Sequence, residues 1–206
     1  MESLEKNEKQ KKWQEISSEA EKIADRLGME IDPGIKETVI ALKANDFGTD
    51  QSCEGHSDRG LPYPWVDIIS LFHEIHEKEF DKLYWDKNNL FDKYSNDIDP
   101  DEWSETDKDE YEDIQKKLLV FQQEDKKECD RLQNILDEFY RNNESNDVRY
   151  GLRYKRLRPL QTIKENAKLE KEYLKNLSKE EKESLLRQSQ KEMQKITEFL
   201  KQSFFA

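Results

Sequence analysis

Residues 65–71 read WVDIISL, a nearly continuous apolar run in a chain that is otherwise rich in charge. Such a run is typical of a β-strand that is covered on both faces. A shorter strand is predicted just before it, at 49–54, and the turn-forming residues of 55–64 separate the two. Alternating apolar and polar residues over 148–157 predict a third, half-buried strand. The sequence therefore predicts a small sheet of three or four strands.

Helical periodicity covers most of the remaining sequence. Apolar residues at helical spacing predict three long helices, over about 4–27, 72–94 and 101–142. A further helix is predicted to begin at the cap residue Asp32, and another follows the capping-box sequence at 178–181. The apolar rhythm of the 101–142 helix breaks at Asp125. We therefore expect this helix to pack on the protein's own sheet and not to form a continuous coiled coil.

These elements predict a helix-rich α+β fold, in which long helices pack a small three- to four-stranded sheet and helical arms extend from both termini. A chain of 206 residues suits one domain with appendages. We expect a helical arm at 1–28 and an α+β core at 29–160, with an acidic insertion at about 92–113. C-terminal helices that pack on the core are expected at 161–206.

The chain carries 47 acidic and 35 basic residues, which gives a formal net charge of −12. Because a negative field repels phosphate, non-specific binding to nucleic acid or to anionic membranes is not expected. The sequence has no apolar run long enough for a membrane span, its start lacks the apolar stretch of a signal peptide, and its two cysteines lie far apart. We therefore expect a cytoplasmic protein with reduced cysteines.

The segment SCEGH at residues 52–56 places a thiol, a carboxylate and an imidazole at the expected end of a strand. A glycine at such a point lets neighbouring side chains and backbone amides face one concave site. We predict that residues 52–66 build a pocket for a small polar or anionic ligand. Trp65 or Tyr63 would supply a stacking wall, and Arg59 or Arg153 the counter-charge. The candidate ligand-binding residues are Ser52, Cys53, Glu54, His56, Arg59, Tyr63, Trp65 and Arg153.

Two chemical alternatives use the same segment. Cys53 and His56 are candidates for the nucleophile and base of a hydrolase or transferase, although the sequence assigns no third residue to orient the imidazole. Alternatively, the pairs Cys53/His56 and His73/His76 would together supply a thiolate and three imidazoles, a ligand set that suits tetrahedral zinc. A structural interpretation also stays open, with Cys53 as a small buried side chain and the histidines in a turn and on an exposed helix face.

Acidic residues are concentrated in residues 92–113, which contain 11 acids and two lysines. This segment fits a solvated loop before a helix N-terminus, or the docking surface of an adaptor or inhibitor protein for a basic partner. A calcium loop starting at Asp97 is not predicted, because Glu102 stands where that loop requires glycine.

Basic residues are concentrated in residues 149–158, which contain five arginines and lysines and no acid. They would clamp a phosphate or carboxylate, or pair internally with the acidic segment, and internal pairing is the favoured interpretation. If this strand lies beside the strand of Cys53, both sets of residues would form one anion-binding pocket.

Three motifs carry a resemblance to a known family: DPGI at 32–35, SCEGH at 52–56 and PYPWV at 62–66. Together they resemble a family of uncharacterised bacterial and phage-associated proteins. The resemblance covers mainly residues 32–68, with a looser similarity in the aromatic C-terminal helix, and it implies no activity. Ser52-Cys53 is also faintly similar to the SCSGR string of wybutosine-synthesis methyltransferases. Because Glu54 and His56 replace the serine and arginine of that string, methyl transfer is not implied.

Overall fold

The computed structural model describes residues 2–23, 30–94, 99–143, 148–153, 155–164 and 167–206. These residues form helices α1 (Glu2–Ala20), α2 (Pro33–Ala44), α3 (Leu71–Ile75), α4 (Glu77–Tyr94), α5 (Glu105–Asn142), α6 (Ala167–Asn176) and α7 (Lys179–Phe205). They also form strands β1 (Gly48–Cys53), β2 (Trp65–Ile69), β3 (Tyr150–Arg153) and β4 (Arg156–Pro159), with short 3-10 turns at Pro100–Glu102 and Leu160–Thr162. The predicted helix-rich α+β class is confirmed.

The four strands form one antiparallel sheet in the order β1-β2-β4-β3. Val66 of β2 lies opposite Leu157 of β4, and Asp67 lies opposite Arg156. Because side chains alternate along a strand, the apolar pair points into the core and the charged pair points to the other face of the sheet. The same two strands therefore serve both the core and the candidate site.

The main hydrophobic core lies between the sheet and helices α2, α5 and α7. Helix α7 contributes Met193, Ile196 and Leu200, each at most 2% exposed. Helix α1 joins this core through Trp13, whose ring lies 5.9 Å from that of Phe204. Burying one such side chain stabilises a fold by about 1.5–3 kcal/mol, so both terminal helices are anchored on the sheet domain.

A second cluster of six buried side chains lies between α4 and the first half of α5: Leu83, Leu90, Trp103, Ile114, Leu118 and Phe121. The rings of Phe80 and Phe121 are 5.3 Å apart, and those of Tyr94 and Trp103 are 4.9 Å apart. Helices α4 and α5 therefore run antiparallel as a helical hairpin. The expectation that the whole apolar stripe of α5 packs on the sheet is correct only for its second half, because the stripe does not reveal which neighbour covers it.

The predicted single strand at 148–157 is wrong, because the chain reverses there and forms the hairpin of β3 and β4. Leu152 pairs with Leu157 and Arg153 pairs with Arg156. The alternation of apolar and polar residues continues unchanged through this tight turn. Lys155 lies in the turn, and lysine is not one of the residues, such as glycine or asparagine, that mark a hairpin turn in a sequence.

Two predicted helices also differ at their ends or interiors. The predicted helix at 72–94 is divided at His76 into α3 and α4, and Ile75, the last residue of α3, is 77% exposed. Helix α1, predicted over about 4–27, ends at Ala20, and residues 24–27 lie outside the described residues. The predicted capping box at Ser178 is confirmed as the start of α7.

None of the described helices combines the length and apolarity that a membrane span needs.

Candidate functional site

The loop that joins β1 to β2 has a fixed shape. Gly55 has a φ of 81°, and a Cβ atom there would lie 2.4 Å from the carbonyl carbon of Tyr63. The backbone N–H of His56 donates to the carbonyl oxygen of Leu61 at 2.9 Å. Only glycine fits such a conformation and such a close approach. The backbone of this loop is therefore held on both sides of residues 57–60.

Glu54 and Asp32 tie this loop to the start of α2. The Glu54 carboxylate accepts a hydrogen bond of 2.8 Å from the backbone N–H of Gly34, and Asp32 Oδ2 accepts one of 3.2 Å from the N–H of Glu54. Asp32 occupies the N-cap position of α2, as predicted, but its side chain does not cap that helix. Glu54 supplies the negative group that the N-terminus of a helix favours. The geometry therefore gives Glu54 a role in holding the loop.

Asp32, Cys53 and His56 come together on the other side of this connection. One potential ligand atom of each residue lies within 4.8 Å of the other two, and all three residues are half-buried. His56 Nε2 is 4.0 Å from Asp32 Oδ2, and Cys53 Sγ accepts a 3.4 Å contact from the N–H of Gly55. The sequence does not predict Asp32 as a site residue, because only the tertiary fold places the start of α2 beside the end of β1.

The electrostatics of this group oppose nucleophilic catalysis by Cys53. Burial raises the pKa of the Cys53 thiol above its ordinary value, and the carboxylates of Asp32 and Glu54 add to this rise. The hydrogen bond from the Gly55 N–H acts in the opposite direction but does not cancel it. A catalytic cysteine needs a lowered pKa, because the thiolate is the nucleophile. Cys53 and His56 therefore lie close together without the environment of an activated pair.

A large cavity of about 800 Å³ opens on the charged face of the sheet. Residues 56–62, strand β4, helix α6 and the start of α7 form its walls. Its basic lining residues are Arg59, Arg153, Lys155, Arg156, Arg158, Lys171, Lys175 and Lys182. Its acidic ones are Asp58, Asp67 and Glu170. We call this space the basic cavity.

Acidic partners orient the arginines of the basic cavity. Arg156 makes two hydrogen bonds of 2.6 Å to Asp67, and its guanidinium group lies 3.7 Å above the Trp65 ring. Glu170 of α6 accepts hydrogen bonds from both Arg153 and Arg158. The favoured interpretation, in which this basic segment pairs with residues 92–113, is wrong for these described contacts. The sheet and α6 supply the partners, because they are the elements that the fold places beside β4.

Other basic groups of the cavity keep their charge available. Lys171, Lys175 and Lys182 form no ion pair with any described residue, and Lys155 lies 3.8 Å from Asp50 at an exposed position. The Nε–H of Arg158 is buried and has no hydrogen-bond acceptor within the described parts of the chain. A buried donor without an acceptor is unfavourable.

The residues predicted to form one pocket do not lie together in the structure. His56, Arg59 and Arg153 line the basic cavity, whereas Ser52 lines a separate cavity of about 250 Å³. Tyr63 is fully buried, and its hydroxyl oxygen accepts a hydrogen bond from Arg158. Arg156 covers one face of the Trp65 ring. Neither aromatic ring lines the basic cavity, so neither forms a stacking wall there.

Three lysines of the basic cavity were not predicted: Lys171, Lys175 and Lys182. Residues 171 and 175 share one face of α6, since positions i and i+4 are neighbours on a helix. The spacing was visible in the sequence, but it is equally typical of a solvated helix face.

The second pair of histidines lies elsewhere. His73 Nδ1 is 2.8 Å from Asp125 Oδ2, and the ring packs between Phe80 and Phe121. His76 Nδ1 lies 2.8 Å from the carbonyl oxygen of Phe72. Neither histidine belongs to the group around Cys53, which is the one group of three potential metal ligands that the described residues form. The structure therefore does not assemble the four-residue zinc set predicted from sequence.

Ser70, His73 and Asp125 do not have the arrangement of a hydrolytic triad. Asp125 Oδ1 accepts hydrogen bonds from the N–H and the hydroxyl of Ser70, whose oxygen in turn accepts from the N–H of His73. The serine hydroxyl thus donates to the acid and not to the imidazole, so no base activates it. Ser70 caps α3, and Asp125, where the apolar stripe of α5 breaks, holds that cap in place.

Three comparisons with known proteins complete the description of the site. No protein-family model, no curated protein and no solved structure matches this chain. The resemblance of residues 32–68 to a family of bacterial and phage-associated proteins therefore stays a prediction.

Proposed function

We propose that this protein binds a small, multiply charged anion of the phosphorylated class in the basic cavity. The observation that carries the proposal is the lining, in which eight basic side chains face three acidic ones although the whole chain has a net charge of −12. A concentration of positive charge against the overall balance is unfavourable to assemble, and a bound anion would offset the repulsion. The volume of about 800 Å³ lies within the range of small-molecule sites.

The arginines and lysines have different roles in this proposal. Arg156 and Arg158 are held by Asp67 and Glu170, so little side-chain entropy is lost when a ligand uses their remaining N–H groups. Lys171, Lys175 and Lys182 act as mobile point charges at the wall formed by α6 and α7. Such a combination suits several negative oxygen atoms spread over one ligand better than it suits a single carboxylate.

The test is a titration with inorganic phosphate, pyrophosphate and tripolyphosphate, followed by calorimetry and thermal unfolding. Affinity should rise with the charge of the anion and fall as salt is added, because salt screens exposed charges. Neutral glycerol should not bind. The double variant Lys171→Gln/Lys175→Gln should bind tripolyphosphate at least about tenfold more weakly, the equivalent of about 1.4 kcal/mol.

The matched control is Lys168→Gln/Lys191→Gln, which removes two exposed lysines of α6 and α7 that do not line the cavity. Both double variants have the same net charge, so a general electrostatic effect would weaken anion binding equally in the two. Equal weakening, or no saturable binding of any of the three anions, would contradict the proposal.

A second candidate function is docking of a basic protein partner on the helical hairpin of α4 and α5. Trp85 is 68% exposed and Tyr84 is 54% exposed on α4, and the exposed acids of residues 99–113 lie on the same hairpin. Exposed aromatic side chains near a strongly charged surface are typical of interaction sites. Charge complementarity selects a partner with a basic, amphipathic surface.

The docking candidate is tested with a synthetic amphipathic helix that carries leucines on one face and lysines on the other. Trp85→Ala should weaken its binding several-fold, and added salt should weaken it further. A peptide that binds the variant Trp85→Ala as tightly as the unchanged protein would rule out this surface.

A further inference from the structure

We propose that Asp32, Cys53 and His56 form a binding site for a divalent zinc ion. This inference does not rest on the proposed anion site: His56 also lines the basic cavity, but Asp32 and Cys53 do not. The three residues come from two pieces of chain: Asp32 is the N-cap of α2, and Cys53 and His56 lie at the end of β1 and in the loop directly after it.

The donor set selects the metal. A thiolate, an imidazole nitrogen and a single carboxylate are the ligands that zinc accepts, and three protein ligands with one open position are typical of zinc sites that also bind water or a substrate. Calcium and magnesium require several oxygen ligands, which this group does not offer. A borderline-soft divalent ion therefore fits best.

The distances leave only a small rearrangement. The three donor atoms already lie within 4.8 Å of one another. In a tetrahedral zinc site with bonds of about 2.0–2.3 Å, ligand atoms are separated by about 3.5 Å. Bringing the three donor atoms about an ångström closer together would give this spacing.

The charges of the group call for a cation. Neither Asp32 nor Glu54 forms an ion pair with a lysine or arginine of the described residues, and the nearest basic group to Asp32 is the His56 imidazole at 4.0 Å. Asp32 is half-buried, so water screens its charge only in part. A bound zinc ion would neutralise the Asp32 carboxylate and the Cys53 thiolate together.

The surroundings hold the ligands in place. The Glu54 N–H donates to Asp32 Oδ2, and Glu54 itself is fixed on the N–H of Gly34. Gly55 fixes the path of the chain between Cys53 and His56 by its close approach to Tyr63. Hydrogen bonds of this kind orient metal ligands and contribute to metal affinity.

The test uses the full chain after removal of metal with a chelator. Titration with zinc against a chromophoric competitor should give about one equivalent bound per chain, as expected for a single site. Cobalt should bind in the same place and produce the absorption band of sulfur-to-cobalt charge transfer. That band should be absent in Cys53→Ser and present in the matched control Cys129→Ser, because Cys129 lies in the main core.

Asp32→Asn and His56→Gln should each weaken zinc binding by at least about tenfold. The stoichiometry of zinc binding and the sulfur-to-cobalt band of the unchanged protein test the site even if the Cys53→Ser variant fails to fold. The inference is overturned by a sulfur band that persists in Cys53→Ser or disappears in a folded Cys129→Ser, or by the absence of stoichiometric binding.

Discussion

The two histidine–aspartate groups of this protein contain similar residues but have different environments. In the group of Ser70, His73 and Asp125, the side chains of His73 and Asp125 are 8% and 15% exposed, and hydrogen bonds link all three residues. In the group of Asp32, Cys53 and His56, the side chains of His56 and Asp32 are 20% and 35% exposed and lie 4.0 Å apart. In the first group, the side chains hydrogen-bond to one another and hold α3 on α5. In the second group, side-chain atoms remain available to bind a ligand.

The largest expected difference between the groups is in stability. His73→Ala should lower the free energy of unfolding by about 3 kcal/mol, because it removes the packing against Phe80 and Phe121 and leaves the Asp125 carboxylate short of a partner. His56→Ala should cost less than about 1 kcal/mol. Urea denaturation of both variants measures the two values, and similar losses would show that the groups do not differ in this way.

Gly55→Ala should have the next largest effect, a loss of about 2 kcal/mol in the free energy of unfolding. Gly60→Ala is the matched control, since Gly60 also has a positive φ, of 65°, but a Cβ there would meet no atom within 4 Å. The control should lose only about 1 kcal/mol, the part that comes from backbone conformation. If Gly60→Ala loses as much stability as Gly55→Ala or more, the close approach of Gly55 to Tyr63 does not hold the loop.

The pH dependence of stability should follow Asp125. Burial alone would raise the pKa of this carboxyl, but the hydrogen bonds from His73 and Ser70 outweigh it and hold the pKa below the ordinary value of 3.8. Asp125 therefore contributes stability that is present above pH 3.8 and is lost as the pH falls through its lowered pKa. The difference in unfolding free energy between the unchanged protein and Asp125→Asn should narrow in that range. Acid titrations of both proteins by circular dichroism give this difference, and a gap that widens on acidification would contradict the prediction.

The smallest effect is expected in thiol reactivity. Burial raises the pKa of Cys129 to about 11, and it also raises that of the half-buried Cys53. Both thiols should therefore react more slowly than a free cysteine at neutral pH, with Cys53 ahead of Cys129 because it is more exposed. Labelling with iodoacetamide followed by mass spectrometry measures both rates. Fast labelling of Cys53 would indicate an activated thiol and would revive the catalytic interpretation.

Local sequence patterns were sufficient for part of this structure. The apolar run at 65–71 predicts β2, and Asp32 followed by Pro33 predicts the start of α2, because strand burial and the backbone angle fixed by proline are local properties of the sequence. The turn between β3 and β4 was not predictable, because strand alternation is the same before and after a reversal. Pattern alone therefore gives the elements more reliably than their connections.

The candidate sites were predictable only in part, for a similar reason. The basic residues at 153–158 were evident in the sequence, and the fold places them beside residues 56–62 on the charged face of the sheet. Long-range packing places Asp32 next to Cys53, and it places Lys171 and Lys175 in the lining of the same cavity as Arg158. A lysine pair on a helix has the same sequence pattern whether it faces solvent or a cavity.

Helix α5 has a mechanical consequence for the whole molecule. Its 38 residues make a rod of about 57 Å that passes through both hydrophobic clusters. Sixteen buried residues lie in the cluster at the sheet and six in the cluster at the hairpin, so the hairpin end should open and reclose at a lower energetic cost. Proteases would then find their first cleavage sites in α4 and the first half of α5, while the sheet, the basic cavity and the group of Asp32, Cys53 and His56 stay folded.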